Sequence, residues 1–227
     1  MSIRLIVFDV AGTTVLDDDA VIDAMQTACA TRRVPVDRRS VKAVMGMPKL
    51  EAIRKLLAAA PTVAPQTIDA LATQVHAAFT EFLLWRYRHD STVRPVPEAA
   101  NVFKQLRDAG IRIALDTGFS REVLDVLLTR FKWTRGVVDV TVASDEVEKG
   151  RPHPDLIQRA MQLAGTMEAH DVAKIGDTPA DIEEGRAAGC GLVVGVTYGT
   201  HSRAELERFG VPLIDRLPDL LQLVGAS

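Results

Sequence analysis

The 227-residue sequence has few of the features that define several protein classes. Its two cysteines, Cys29 and Cys190, lie in separate regions and form no CxxC pair, so we expect neither a thiolate metal site nor a disulfide framework. No apolar run approaches the roughly 18 residues of a membrane span. The formal net charge of −3 provides no basic surface for nucleic acid or for a membrane. These absences favour a globular protein without nucleic-acid or membrane partners.

Length and composition set the scale of the fold. At 227 residues we expect one or two domains, and a hydrophobic content of 47% is enough for a substantial core. Strand-like residues follow Met1 almost at once and leave no room for a signal peptide, so we expect a cytoplasmic protein.

Most of the chain alternates strand-like with helix-like segments. The apolar run Leu5–Phe8 is typical of a strand that is covered on both faces. Further strands are predicted at 111–116, 137–143, 172–175, 192–196 and 212–214. Helices are predicted at 98–109, 120–131, 155–163, 179–188, 203–209 and 218–224. This alternation predicts an α/β fold with a Rossmann-like, doubly wound parallel sheet.

The segment between the first two strands has a different pattern. It is predicted to be helical at 20–32, 50–60 and 66–88, with Trp85 and Tyr87 packing at the end of the last helix. Prolines interrupt this segment and mark its return to the alternating pattern. We therefore expect a core domain of residues 1–13 and 94–227 and an inserted helical domain of residues 14–93, here called the cap.

Polar side chains follow four of the predicted strands. Asp9 ends the first strand, Thr117 the second, Arg151 follows the third, and Asp177 and Asp181 follow the fourth. Each has an ordinary alternative as a turn residue, a surface charge, or an acid at a helix start. Because the carboxyl ends of parallel strands meet at one edge of a sheet, their coincidence favours one shared site.

The order of these residues resembles the four motifs of the haloacid dehalogenase superfamily of phosphoryl-transfer hydrolases. The motifs are Asp9-x-Ala11-Gly12-Thr13, Thr117-Gly118, Arg151-Pro152-x-Pro154 and Gly176-Asp177-x3-Asp181. Within the superfamily, the DxAGT variant with arginine in the third motif is similar to the phosphonatases, which hydrolyse phosphonoacetaldehyde. The resemblance covers nearly the whole chain.

The resemblance implies a role for each motif residue. Asp9 would be the nucleophile that forms an aspartyl-phosphate, while Thr117 and Arg151 would contact the phosphoryl oxygens. Mg²⁺ would be held by Asp9, the Ala11 carbonyl and Asp177, with Asp181 orienting the metal shell. The residues expected to line the substrate site are Gly12, Thr13, Met45, Gly46 and Gly118.

Ala11 indicates which bond is cleaved. Most phosphatases of the superfamily carry a second aspartate at this position, which protonates the departing alkoxide and later helps to deprotonate water. A methyl group can do neither. Ala11 therefore disfavours ordinary phosphate esters and suits a leaving group that departs without a proton, such as an enamine.

A lysine in the cap could supply that enamine. The segment Met45-Gly46-x-x-Lys49 resembles the phosphonatase segment whose lysine forms a Schiff base with the substrate aldehyde. The alternative is a solvated lysine near a helix start. A histidine and a cysteine of that family are replaced here by Ala52 and Asp19. Possible replacement bases are Glu51, His76 and His89, although residues of these types are more often simply surface residues.

Together these features predict a Mg²⁺-dependent hydrolase that cleaves a carbon–phosphorus bond in a small phosphonate, with a homodimer possible. Two other hypotheses stay open at this point. One is a phosphatase that acts on a small phosphate ester without a lysine adduct. The other is a non-catalytic protein that uses the same scaffold for binding or regulation.

Overall fold

The computed structural model of the protein describes residues 3–134, 136–165 and 168–226. Its strands are β1 (Leu5–Asp9), β2 (Val15–Leu16), β3 (Arg94–Pro95), β4 (Arg112–Thr117), β5 (Val140–Ala143), β6 (Val172–Gly176), β7 (Leu192–Val196) and β8 (Leu213–Ile214). The α-helices are α1 (Ala20–Thr31), α2 (Arg38–Lys42), α3 (Lys49–Ala58), α4 (Ile68–His89), α5 (Ala99–Asp108), α6 (Arg121–Phe131), α7 (Asp155–Leu163), α8 (Pro179–Ala187), α9 (Arg203–Leu206) and α10 (Leu220–Val224).

The main sheet has six strands in the order β5-β4-β1-β6-β7-β8, and every neighbouring pair is parallel. Successive side chains of β1 point to opposite faces. Ile6 and Phe8 pack in the cluster that includes α5, whereas Leu5 and Val7 pack in the cluster that includes α7. Helices on both faces explain why β1 is apolar from Leu5 to Phe8, and they confirm the predicted Rossmann-like fold.

The inserted segment runs between the short strands β2 and β3, which pair antiparallel where the chain leaves the main sheet and returns to it. Helices α1 and α3 both pack against α4, whose buried residues include Phe79 and Leu83. The exact limits of the two domains stay a prediction, and the predicted core ends at residues 1 and 227 lie outside the described residues. Within the described ranges, no helix is long and apolar enough to cross a bilayer.

One prediction about local structure was wrong, and one short helix was not predicted. The strand predicted from Val137 begins at Val140, because the amides of Val137 and Val138 donate to the Thr134 carbonyl and form a turn. Helix α2 was not predicted, since five residues are too few to give a helical periodicity. Its start is fixed by Asp37, whose carboxylate accepts the Ser40 N–H at 2.6 Å.

Candidate active site

The four predicted motifs meet at the carboxyl edge of the sheet. Asp9 ends β1, Thr117 ends β4, and Asp177 directly follows β6. Arg151 comes from the loop between β5 and α7, and its Nη1 lies 2.6 Å from Asp9 Oδ1. Because adjacent parallel strands place these ends side by side, residues far apart in sequence form one buried site.

The loop after Asp9 is held in a fixed conformation. The Thr14 hydroxyl donates to the Asp9 carbonyl at 3.0 Å, and the Tyr198 hydroxyl donates to the Thr13 carbonyl at 2.8 Å. Gly12 has a φ of +93°, and a Cβ there would overlap the Asp177 carboxylate. Glycine is therefore required both by the backbone conformation and by the close approach of Asp177.

Arg151 is 1% exposed and contacts four carboxylates. Its Nη1 lies 2.6 Å from Asp9 and 2.9 Å from Asp181, its Nε lies 2.9 Å from Glu184, and its Nη2 contacts Asp116. These contacts raise the pKa of the guanidinium further above its ordinary value despite burial. Arg151 is thus fixed in place by acids, and it orients Asp9 through a charge-assisted hydrogen bond.

Lys174 was not among the predicted site residues. It is fully buried in β6, contacts Asp116, and lies 3.0 Å from Glu184 and 3.3 Å from Asp181. The sequence did contain a signal, because a lysine in a continuous buried strand needs acidic partners. Lys174 and Arg151 therefore share three carboxylates and stabilise each other's position indirectly.

Acidic groups outnumber cationic groups in this buried region. Its acidic side chains are Asp9, Asp116, Asp177, Asp181 and Glu184. The cations in contact with them are Arg151 and Lys174. Burial raises the pKa of Asp9 to about 7 against the opposing effect of Arg151, and burial together with Asp181 raises that of Asp177 to about 6. An additional bound cation would offset the remaining charge.

Two sets of carboxylates could bind such a cation. Oxygens of Asp9, Asp116 and Asp181 lie within 4.8 Å of one another, but the Arg151 guanidinium contacts all three side chains. Asp177, by contrast, accepts hydrogen bonds from neutral groups, the Thr13 hydroxyl at 3.1 Å and the Thr200 N–H at 2.7 Å. The residues therefore fit a cation on the Asp177 side of Asp9 better than one at the position of the guanidinium.

Asp177 and Asp181 have different surroundings. The residue that caps α8 is Thr178, whose hydroxyl accepts the Asp181 N–H, while Asp181 Oδ2 accepts the Thr178 N–H at 3.1 Å. Asp177 therefore does not cap this helix, which was its ordinary alternative. Asp181 combines a capping role with its contacts to Arg151 and Lys174.

The cap segment that precedes α3 packs directly on the motif loops of the core. Gly46 has a φ of +84°, and a Cβ there would overlap Thr178. A Cβ on Gly118 would lie 2.7 Å from the Met47 carbonyl oxygen, and one on Gly150 would overlap Pro48. The glycines thus allow the segment of Met45 and Gly46 to approach the site closely. Thr117, which precedes Gly118, is buried, and its hydroxyl accepts the Phe119 N–H at 3.2 Å.

Lys49 is buried, although it lies in the first turn of α3. It is 6% exposed, its Nζ donates to the Met47 carbonyl at 3.4 Å, and it lies 5.1 Å from the centre of the Phe119 ring. Burial lowers the pKa of the amine to about 8, while Asp9 and Asp17 oppose this shift. The geometry therefore excludes the alternative of a solvated lysine.

The candidate replacement bases differ in position. Glu51 and His89 are exposed, and a His89 ring nitrogen lies 2.9 Å from the Trp85 carbonyl oxygen. His76 is half-buried, and its pKa is lowered by burial and by the positive charge of Lys49. The charge of Lys49 therefore acts on the His76 imidazole. Asp19, at the expected cysteine position, forms an ion pair with Arg38.

A further acid in the cap was missed. Asp17 is half-buried, and its Oδ2 accepts a hydrogen bond of 3.0 Å from the hydroxyl of the fully buried Tyr87. Burial raises the pKa of Asp17 to about 6, with the Tyr87 hydrogen bond opposing the shift. In the sequence this residue opens a run of three aspartates, which looks like a solvated turn.

Comparison with known proteins agrees with this geometry. A family model described as haloacid dehalogenase-like hydrolase matches residues 3–189. The chain belongs to this family. It is similar to the phosphonoacetaldehyde hydrolase of Bacillus cereus strain AH187, with 29% identity over 88% of this chain and 78% of the relative. The protein is a hydrolase. Membership of this family therefore contradicts the hypothesis of a non-catalytic protein.

Two solved structures share the fold of this family member. A phosphonoacetaldehyde hydrolase-like protein from Oleispira antarctica has a TM-score of 0.84 at 21% identity, covering 99% of this chain and 92% of that one. A predicted phosphoglycolate phosphatase from Haemophilus somnus has a TM-score of 0.80 at 19% identity, covering 98% of both chains. At these identities the likeness establishes the fold alone.

Proposed function

We propose that this haloacid dehalogenase-like hydrolase cleaves the carbon–phosphorus bond of a small aldehyde phosphonate, of which phosphonoacetaldehyde is the simplest. The observation that carries the proposal is the combination of a buried amine, Lys49, with Ala11 in place of a general acid. The first supplies an electron sink for the carbon leaving group, and the second removes the group that an alkoxide would need.

The core half of the site supports transfer of the phosphoryl group to Asp9. Arg151 fixes one oxygen of the Asp9 carboxylate, and Thr117 has a hydroxyl proton available for a phosphoryl oxygen. Asp9, the Ala11 carbonyl and Asp177 are the residues that would hold Mg²⁺. When bound, this ion would neutralise charge on the phosphoryl oxygens during transfer.

The cap half supports a covalent step at Lys49. The neutral amine adds to the aldehyde carbon, and loss of water leaves an iminium. Attack of Asp9 on phosphorus then breaks the carbon–phosphorus bond, whose electron pair moves toward the iminium and gives an enamine. Water hydrolyses the aspartyl-phosphate to release phosphate. Protonation of the enamine carbon and hydrolysis of the resulting imine release the product aldehyde and free Lys49.

The decisive experiment compares Lys49→Arg with Lys55→Arg. The second variant is the control, because Lys55 is an exposed lysine of the same helix. With phosphonoacetaldehyde and Mg²⁺, we expect phosphate release by the wild type and by Lys55→Arg. Lys49→Arg should lose at least about 10²-fold in turnover, because a guanidinium cannot act as the amine at neutral pH. Borohydride added during turnover should leave a reduced adduct on the Lys49 peptide of the two active proteins only.

A phosphatase that acts on a small phosphate ester is the second candidate. The observation that favours it is the loss of two cap residues of the phosphonatases, whose histidine and cysteine positions are occupied here by Ala52 and Asp19. This candidate requires hydrolysis of phosphate esters at a rate that is the same in wild type and Lys49→Arg. Near-normal turnover by Lys49→Arg on the best substrate, or no borohydride adduct in the wild type, would contradict carbon–phosphorus cleavage through a Schiff base and favour this second function.

A further inference from the structure

Asp17 and Tyr87 form a polar pair beside the candidate site. The carboxylate is anchored at one oxygen by the Tyr87 hydroxyl, 3.0 Å away. Asp17 also lines a cleft of about 270 Å³ that reaches Gly12, in the loop after the nucleophile. A small ligand in this region could therefore approach Asp17 and the motif loop together.

A chain of contacts links this pair to Lys49. The Tyr87 ring lies 5.9 Å from the Phe119 ring in an edge-to-face arrangement, and the Lys49 ammonium lies 5.1 Å from the same Phe119 ring. The Lys49 amine donates to the Met47 carbonyl and the Asp17 carboxylate accepts from Tyr87, and within the described part of the chain the two groups form no ion pair with each other. A proton could therefore pass between the Lys49 amine and the Asp17 carboxylate through one bridging water, but not by direct contact.

Few other groups near Lys49 could exchange a proton with it. The titratable and charged groups that influence its ammonium are Asp9, Arg151, Asp17, Asp177 and His76. Asp9 is required as the nucleophile, Arg151 is held by four carboxylates, and Asp177 accepts hydrogen bonds from Thr13 and Thr200. Asp17 and His76 remain, and Asp17 is anchored by the hydrogen bond that it accepts from the hydroxyl of the buried Tyr87.

We propose that Asp17, held by Tyr87, is the acid–base residue that serves Lys49 when the Schiff base forms. Through one bridging water, the Asp17 carboxylate accepts a proton from the Lys49 ammonium, and the free amine adds to the aldehyde carbon. Transfer of one N–H proton to the former aldehyde oxygen gives the carbinolamine. Protonated Asp17 then donates to the hydroxyl of the carbinolamine. This hydroxyl leaves as water, the nitrogen lone pair closes the C=N bond, and Asp17 returns to its carboxylate form.

This inference rests on the proposed function, because it assigns a proton path to the lysine adduct. Its test measures the rate at which borohydride traps phosphonoacetaldehyde on the Lys49 peptide, in full-length protein with Mg²⁺. Asp17→Asn should slow trapping by about 10²-fold, the scale of general acid–base catalysis. The matched control is Asp18→Asn, which removes the same charge from the adjacent exposed residue and should trap at the wild-type rate.

Two further variants separate a chemical role from a structural one. Asp17→Ala should be slow and should recover at least about tenfold when formate is added, since formate can replace the missing carboxylate. His76→Asn should trap at nearly the wild-type rate. Circular dichroism and thermal melting would confirm that each variant is folded.

The outcomes distinguish this inference from the function on which it rests. If the wild type is trapped and Asp17→Asn is trapped equally fast, the role of Asp17 is overturned while Schiff-base chemistry stands. A slow His76→Asn with a normal Asp17→Asn would reassign the role to the histidine. If wild-type Lys49 is never trapped, the proposed function and the role of Asp17 fail together.

Discussion

Two buried lysines show how differently the two halves of the site treat the same side chain. Lys174, in the core, contacts Asp116 and Glu184, and these carboxylates raise its pKa above the ordinary value despite burial. Lys49, in the cap, contacts a carbonyl oxygen and an aromatic ring, and burial lowers its pKa to about 8. The core therefore maintains a permanent charge that fixes the geometry, while the cap holds an amine that can give up its proton near neutral pH.

The largest expected effect concerns Asp9, the proposed nucleophile, which the core half positions. Asp9→Asn should lower phosphate release by more than about 10³-fold, because an amide cannot accept the phosphoryl group. The protein should remain folded by circular dichroism, and Asp108→Asn, an exposed change, should keep full activity. EDTA should also abolish turnover, reversibly on addition of Mg²⁺. Retention of more than a few per cent of activity by Asp9→Asn would contradict the aspartyl-phosphate mechanism.

The next prediction tests the lysine comparison directly, with the same substitution at both positions. Lys174→Met should lower the free energy of unfolding by about 3–5 kcal/mol, because it leaves buried carboxylates without one of their cations. Lys49→Met should raise it by about 1–2 kcal/mol at pH 7, because a buried ammonium is replaced by an apolar side chain of similar length. Urea denaturation of both variants at pH 7 measures the difference.

The contribution of Lys49 to the free energy of unfolding depends on pH, and the direction of its pKa shift determines how. The folded-state pKa of about 8 lies below the ordinary 10.5, so the folded protein binds this proton more weakly than the unfolded chain. The loss of stability caused by burying the charged amine is therefore complete below pH 8 and disappears as the pH rises to about 10.5. Equal destabilisation by both substitutions at pH 7 would contradict the distinction between the two lysines.

The same contrast explains how much could be predicted from the sequence. Asp9 and Arg151 were predicted because each belongs to a short motif that follows a strand. The carboxylates that surround Arg151 were not predicted, because one of them, Glu184, lies on a helix 33 residues away in sequence. Asp17 was missed because its partner Tyr87 is 70 residues distant and only the fold of the cap brings them together. Strand order and motif chemistry are local patterns, whereas a charge network depends on contacts between distant segments.

A third prediction concerns the boundary between the two halves, at Ala11. Ala11→Asp should raise phosphate-ester hydrolysis relative to phosphonate cleavage by at least about tenfold, because the new carboxyl group can protonate an alkoxide leaving group. Asparagine has nearly the same size as aspartate but is not an acid. Ala11→Asn should therefore leave the ratio of ester hydrolysis to phosphonate cleavage unchanged. If Ala11→Asp is folded and active but leaves the ratio of the two activities unchanged, the cap rather than Ala11 determines the reaction type.

The smallest expected effect concerns the stability of the cap. Asp17 has its pKa raised from 3.8 to about 6, so the folded protein holds this proton more tightly than the unfolded chain. A raised carboxyl pKa weakens the fold as the pH rises from about 4 to 6, and the penalty stays constant above that range. The substitution Asp17→Asn removes the charge, and the oxygen of the new amide can still accept a hydrogen bond from the Tyr87 hydroxyl. We therefore expect it to be more stable than the wild type by about 1 kcal/mol at pH 8, after allowing for solvent screening of a half-buried group.

Urea denaturation at pH 8 and at pH 4 provides the measurement, with Asp18→Asn as the control. The gain in stability should be present at pH 8, absent at pH 4, and absent from the control at both. Together with slower trapping of the aldehyde on Lys49, this result would mean that the cap keeps a destabilising carboxylate because the chemistry requires it. A loss of stability at pH 8 would instead make the Asp17–Tyr87 pair a structural contact, because a charge that strengthens the fold needs no catalytic explanation.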